Sequence, residues 1–245
     1  MTMLGVQGRV VAGLTVRATM GRKRAFLFAL PALILLLVTV ALKLAHPERA
    51  TWPEDILGVF GFSVVLPLTA LIIGTSVLGA EIDDGSIVHL LATPVRRPAV
   101  IAAKYTVAVV LTMAFVAVPE LLAGIIATGG ASKLAVGLFA GALAGCVMYN
   151  AVFVMISVLT TRAIAVGLLY ALIWEGLLGN LVAGARLLSV GQYSLGIANS
   201  VAHDPSLNAV LTLGTSIGMG LAVTAAALII ATRRLASFSL KGEPA

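Results

Sequence analysis

Two carboxylates stand where a carboxylate is costly. Glu120 and Glu175 each fall inside a long apolar run, Glu120 directly after Pro119 and Glu175 directly after Trp174. An ionised side chain in hydrocarbon must be paired, hydrogen-bonded or wetted. Such residues therefore mark either a substrate pathway or gate, or a polar brace between helices, and both readings stand for each of them. Asn180 follows Glu175 by about one and a half helical turns and is the third candidate for the path. Asn150, beside Tyr149 in the preceding run, is a fourth that suits helix packing better. Other chemistry is lacking. His46, His89 and His203 lie in three separate segments with no ligand partner at metal spacing, so no metal site is expected. The single cysteine, Cys146, reads as a small core residue. The sequence has no G-x-x-x-x-G-K-[ST] phosphate loop and is not expected to hydrolyse ATP.

The elements that position these groups follow from composition. The chain has 245 residues, 60% hydrophobic and only 11% charged, against roughly a quarter charged in soluble domains. Apolar runs of about 20 residues recur, each long enough to cross hydrocarbon. In lipid the backbone must satisfy its own hydrogen bonds, so the runs are helices. The reading is an all-α membrane protein, one domain over 1–245, with six spans at 25–45, 56–80, 100–127, 134–159, 163–183 and 209–231. With both termini cytoplasmic, all but Lys43, Arg49, Lys133 and Arg186 of the 16 basic residues lie inside or at the inner face. That is a positive-inside bias, and it accounts for the net charge of +6 without any nucleic acid. The basic Arg22-Lys23-Arg24 begins too far from Met1, and the run after it is too long, for a cleaved signal peptide.

Finer patterns refine this. Over 3–21, Val10, Val11, Leu14 and Ala18 share one helical face while Arg9 and Lys23 point the other way, which predicts an interfacial amphipathic helix. Gly137, Gly141 and Gly145 in the fourth span, and Gly214 and Gly218 in the sixth, repeat every four residues and predict close helix packing. Pro31, Pro67 and Pro119 predict bends. The outer connection 184–208 contains apolar pieces too short to span, Leu187 to Val190 and Leu195 to Val201, which predict short outer helices.

The segment between the second and third spans, 81–98, is too polar for membrane and too patterned for a plain connector. Asp83, Asp84 and Ser86 suit a helix start. Ile87, Leu90 and Leu91 then form one small apolar face, Pro94 ends it, and Arg96 and Arg97 meet the headgroups. The pattern predicts a short cytoplasmic helix that docks a soluble partner and passes its movement to spans two and three.

Here the chain resembles a family. Glu81-x-x-x-Gly85, then Leu90-Leu91-x-x-Pro94-x-Arg96-Arg97 and Lys104, is similar to the intracellular loop of ABC-2 type transporter permeases, and the six-span layout with an N-terminal amphipathic helix matches too. The resemblance implies that Glu81, Asp84, Gly85, Ile87, Leu90, Leu91, Pro94, Arg96 and Arg97 form a coupling helix that contacts a nucleotide-binding ATPase subunit. It implies ATP and Mg in that partner and no cofactor in this chain. It implies a second permease copy, identical or related, a bacterial cytoplasmic membrane location, and outer helices that cap the path. The cargo expected from a narrow, apolar interior is drug-like, amphipathic or lipid-like. Two other readings remain: a proton-coupled secondary carrier using Glu120 and Glu175, and a membrane scaffold that recruits a soluble partner through 81–98.

Overall fold

The computed structural model describes Gly13 and residues 22–45, 56–83, 97–178, 183–204 and 207–237. Among these, all regular structure is helical. Helix α1 is Arg22–Ala45. Helix α2 begins as a π-helix, Ile56–Val65, and continues as Leu66–Asp83. Helix α3 runs over Arg97–Thr112, through a π-helical Met113–Ala117, to Val118–Thr128. Helix α4 is Lys133–Leu159, and α5 is Ala163–Leu169 continued by π-helical Tyr170–Leu178. Two short helices, α6 (Ala183–Arg186) and α7 (Val190–Ala202), precede α8 (Leu213–Ser237).

Five stretches are long and apolar enough to cross a membrane: Ala25–Ala45, Ile56–Gly79, Arg97–Thr128, Lys133–Leu159 and Leu213–Ala236. The expected fifth span falls instead on a shorter apolar helix, Ala163–Gly176. The described helix there stops at Leu178, before the expected end at 183. Its described part rises about 24 Å at 1.5 Å per residue, and residues 179–182 of the expected span lie outside the described residues. The third span starts earlier than expected, at Arg97, because Pro98 suits a first helical turn that needs no donor from it. The sixth starts later, at Leu213, after a loop in which Asn208 takes a φ of 49°.

Proline shapes two of the spans through turns that precede it. Pro67 and Pro119 each lie two residues past a π-helical stretch, while Pro31 lies inside α1. Proline removes one donor and its ring crowds the carbonyl four residues back. The wider π turn relieves that crowding and lets neighbouring groups find other partners. Threonine is accommodated by a related device. Thr39, Thr75, Thr112, Thr128 and Thr232 each donate to the carbonyl four residues back, at 2.6–2.8 Å, so their hydroxyls are not orphaned in lipid.

Helix α4 is the hub. In its apolar stretch 72% of residues are buried, against 17% in that of α8, and α2, α3, α7 and α8 all pack on it. One buried cluster joins Leu57, Phe62, Leu66, Tyr149, Phe153 and Tyr193; a second joins Phe28, Ile73, Leu78, Val100, Val154 and Leu235 nearer the other end. Helices α1 and α8 turn Phe26, Leu37, Leu221 and Ile229 outward. An apolar face of that extent is a liability in water and an ordinary surface in hydrocarbon. The α3–α4 connection is tight: Gly129, at φ 77°, ends α3, and the Ser132 hydroxyl caps α4 by accepting from Ala135 N at 3.2 Å. Lys43 closes the same end, donating from Nζ to Ala127 O at 2.8 Å, where the carbonyl end of α3 favours a cation.

Candidate functional site

The two intramembrane carboxylates occupy different surroundings. Glu120 follows Pro119 in the turn after the π-helical stretch of α3 and is 1% exposed. Neither of its oxygens has a hydrogen-bonding partner. Both oxygens lie over Gly61 of α2, where a Cβ would come within 2.6 Å of each. The absence of a side chain at Gly61 is what makes room for the carboxyl at the meeting of α2, α3 and α4.

Glu175 is half-buried and heavily engaged. Its Oε1 accepts from Tyr170 Oη at 3.0 Å and from the backbone N–H of Val190 at 2.9 Å. Its Oε2 accepts from the Ser189 hydroxyl and from Gly191 N at 3.2 Å. Ser189 itself caps α7 by accepting from Gln192 N at 3.2 Å. The carboxylate of α5 thus sits on the free N–H groups that open α7, where the helix dipole favours a negative charge. Neighbouring bonds reinforce the joint: Trp174 Nε1 donates to Leu188 O at 3.3 Å, and Tyr193 Oη donates to Leu187 O at 2.7 Å. A cavity of about 40 Å³ remains beside it, lined by Phe62, Tyr149, Glu175 and Gln192 among others. That is room for about one water.

This arrangement corrects the expected outer helices. Leu187 to Val190 is not a helix; its first residues form the turn between α6 and α7, with Leu187 and Leu188 exposed. The Ser189 cap ends that turn and starts α7, which extends from Val190 to Ala202 and contains the second apolar piece. Ser189-x-x-Gln192 ahead of an apolar run is a recognisable helix start, so this boundary was legible in the residues. The partnership of Ser189 with Glu175 was not.

Asn150, fully buried on α4, donates from Nδ2 to Thr112 Oγ1 at 2.9 Å and to Cys146 O at 2.8 Å. It therefore joins α4 to α3. Its Oδ1 faces Gly74 of α2, where a Cβ would meet it at 3.2 Å. The geometry is that of a brace between α3 and α4, with Oδ1 buried and without a hydrogen-bonding partner beside α2. Among the described residues Glu120 lies against Gly61, Glu175 against α7 and Asn150 against Thr112. Asn180 lies outside the described residues.

The glycines of α4 behave as a strip for close approach. A Cβ at Gly137 would come within 2.6 Å of Ala198 O, one at Gly141 within 2.6 Å of Ser194 O, and one at Gly145 would strike Leu66. The helix they admit is α7, with α2 beside it. Gly214 and Gly218 differ: a Cβ at either meets nothing within 4 Å among the described residues. The close glycine of α8 is Gly220, which lies against Met148.

Of the polar segment after α2, Asp84, Gly85, Ile87, Leu90, Leu91, Pro94 and Arg96 lie outside the described residues, as does the expected interfacial helix except Gly13, which is helical. Glu81 belongs to the last turn of α2, and Arg97 is the first residue of α3. What the structure adds is the bond that joins the helices flanking this segment. Lys104 of α3 is completely buried, and its Nζ donates to Val77 O of α2 at 2.7 Å. Lysine at that position belonged to the motif, but nothing in its spacing pointed to Val77. Among the described residues no group of three or more His, Cys, Asp or Glu could hold a metal ion.

A family model described as "ABC-2 family transporter protein" matches residues 20–184. The match takes in α1 through α5 and the polar segment between α2 and α3. No curated protein matches the chain.

Proposed function

The chain belongs to the ABC-2 transporter family, and on that premise we propose that it is the permease subunit of an ATP-driven exporter, forming the translocation path and coupled through 81–98 to a separate ATPase subunit. The observation that carries the coupling is the Lys104–Val77 bond. It ties α2 to α3 just inside the membrane from the segment that a partner would grip, so a push on that segment moves both helices together. ATP and Mg belong to the partner, and no covalent chemistry takes place in this chain. A second permease copy supplies the other half of the path, and α5 serves as the fifth of six spans. The cargo in this reading is drug-like, amphipathic or lipid-like, since the interior between helices is apolar. Both termini face the cytoplasm of a bacterial cell.

The test is coupling. A nucleotide-binding protein should copurify with the chain, and Leu90→Asp or Leu91→Asp should abolish permease-dependent ATPase activity while membrane insertion persists. Transport that ran on a pH gradient without ATP would overturn the proposal.

That outcome is the second reading, a proton-coupled carrier, and one observation favours it: Glu120 is buried without a partner. Against it, Glu175 is engaged in capping α7 rather than turned toward an open path.

A further inference from the structure

A large cavity lies away from both carboxylates, at the end of the helices where α4 passes into α5. It has a volume of about 830 Å³, within the range of roughly 300–1,000 Å³ that holds drug-sized ligands. Its walls come from three sides: Leu27 and Phe28 of α1, Ile72 and Ser76 of α2, and Leu168 of α5, with Arg162 of the α4–α5 turn among the lining residues. The positive-inside distribution places this end at the cytoplasmic face. Leu27 and Leu168 are exposed, so the cavity is open on an apolar side. The hydroxyl of Ser76 already donates to Ile73 O at 2.9 Å, and that of Ser157 to Val154 O at 2.8 Å. Those two hydroxyls are thus spent on helix carbonyls, whereas Thr160 and Thr161 line the cavity beside Arg162. Arg162 is exposed, and its guanidinium has no side-chain partner among the described residues. An apolar chamber whose one cationic lining side chain among the described residues is Arg162 has a specific complement.

We propose that this cavity binds an amphipathic anion, with its apolar body between α1, α2 and α5 and its single negative headgroup on Arg162. Arginine suits that role because its fork matches phosphate and carboxylate oxygens in pairs. The inference deepens the transport reading, and rests on it only for the fate of the ligand: binding needs neither ATP nor an ATPase.

The test is native mass spectrometry of the full chain in a neutral sugar detergent, without any partner. The probes are dodecyl phosphate, dioleoyl phosphatidylglycerol and, as the cationic control, dodecyltrimethylammonium. One anion should add per chain in preference to the cation. Arg162→Gln should weaken that adduct about tenfold or more, Arg162→Lys should restore part of it, and Leu168→Trp should weaken it by crowding one apolar wall. Arg233→Gln, on α8 and outside the cavity, should leave it unchanged. An adduct with phosphatidylglycerol alone identifies the source as a leaflet lipid, and one with dodecyl phosphate alone identifies a free amphiphile; both support the site. Equal binding by wild type, Arg162→Gln and Leu168→Trp would overturn it, as would equal binding of anion and cation. Failure of coupled transport with the adduct intact would count against the exporter reading and leave the site standing.

Discussion

Both carboxyl oxygens of Glu120 lie over the bare backbone of Gly61, at a distance that leaves no room for a methyl group between the two helices. Each residue thereby accounts for the other. A buried acid without a hydrogen-bonding partner needs space that is held open, and a glycine at a helix crossing needs something to fill its gap.

The first prediction follows from that pair. Gly61→Ala should destabilise the chain by about 1–3 kcal/mol, because its Cβ overlaps the carboxyl. Glu120→Ala on the same background should recover most of the loss. A double-mutant cycle read by unfolding in mixed micelles measures the coupling. Simple additivity of the two substitutions would refute direct contact between them.

Glu175 should act as a cap rather than as a carrier of protons. Its carboxylate accepts from Tyr170, Ser189, Val190 and Gly191. Glu175→Gln places an amide NH₂ against these donors and should cost about 1–3 kcal/mol, whereas Ser189→Ala, which leaves the backbone contacts, should cost about 1. Hydrogen exchange at Val190, Gly191 and Gln192 should quicken in both, more in Glu175→Gln. Unchanged protection there would mean that the carboxylate does not hold α7.

Lys104 should matter to coupling out of proportion to its distance from any partner. Lys104→Met keeps the apolar stem and removes the donor to Val77 O. Permease-dependent ATPase activity should fall several-fold while expression and insertion stay near wild type. Thr106→Ala, on the exposed face of the same helix, is the control. An equal fall in both variants would point to general damage to α3.

The glycines of α4 and α8 should respond in opposite ways. Gly141→Val drives a side chain into Ser194 O and Ala198 and should cost about 1–3 kcal/mol by overpacking. Gly218→Val meets open space and should change the stability of the single chain by no more than about 0.5 kcal/mol. Thermal unfolding of the two variants side by side is sufficient. A large loss from Gly218→Val in a monomeric preparation would show that α8 packs differently.

Much of this protein was readable along the chain. Length and hydropathy are one-dimensional properties: a bilayer needs about 20 apolar residues with internally bonded backbone, and the runs that became α1, α2, α3, α4 and α8 declare that without reference to one another. The interruption after Asp83, the four-residue spacing of Gly137, Gly141 and Gly145, and the Ser189-x-x-Gln192 start of α7 are equally local. The π-helical second half of α5 was not legible, because an apolar run shows where a helix is permitted rather than how it is wound. Partnership belonged to the tertiary structure alone. Nothing near Glu120 in sequence points to Gly61, nothing near Lys104 points to Val77, and the two intramembrane acids look alike until one is seen bare against a glycine and the other seated on α7. A side chain in hydrocarbon is decided by whichever neighbour reaches it, and that depends on how helices far apart in sequence cross.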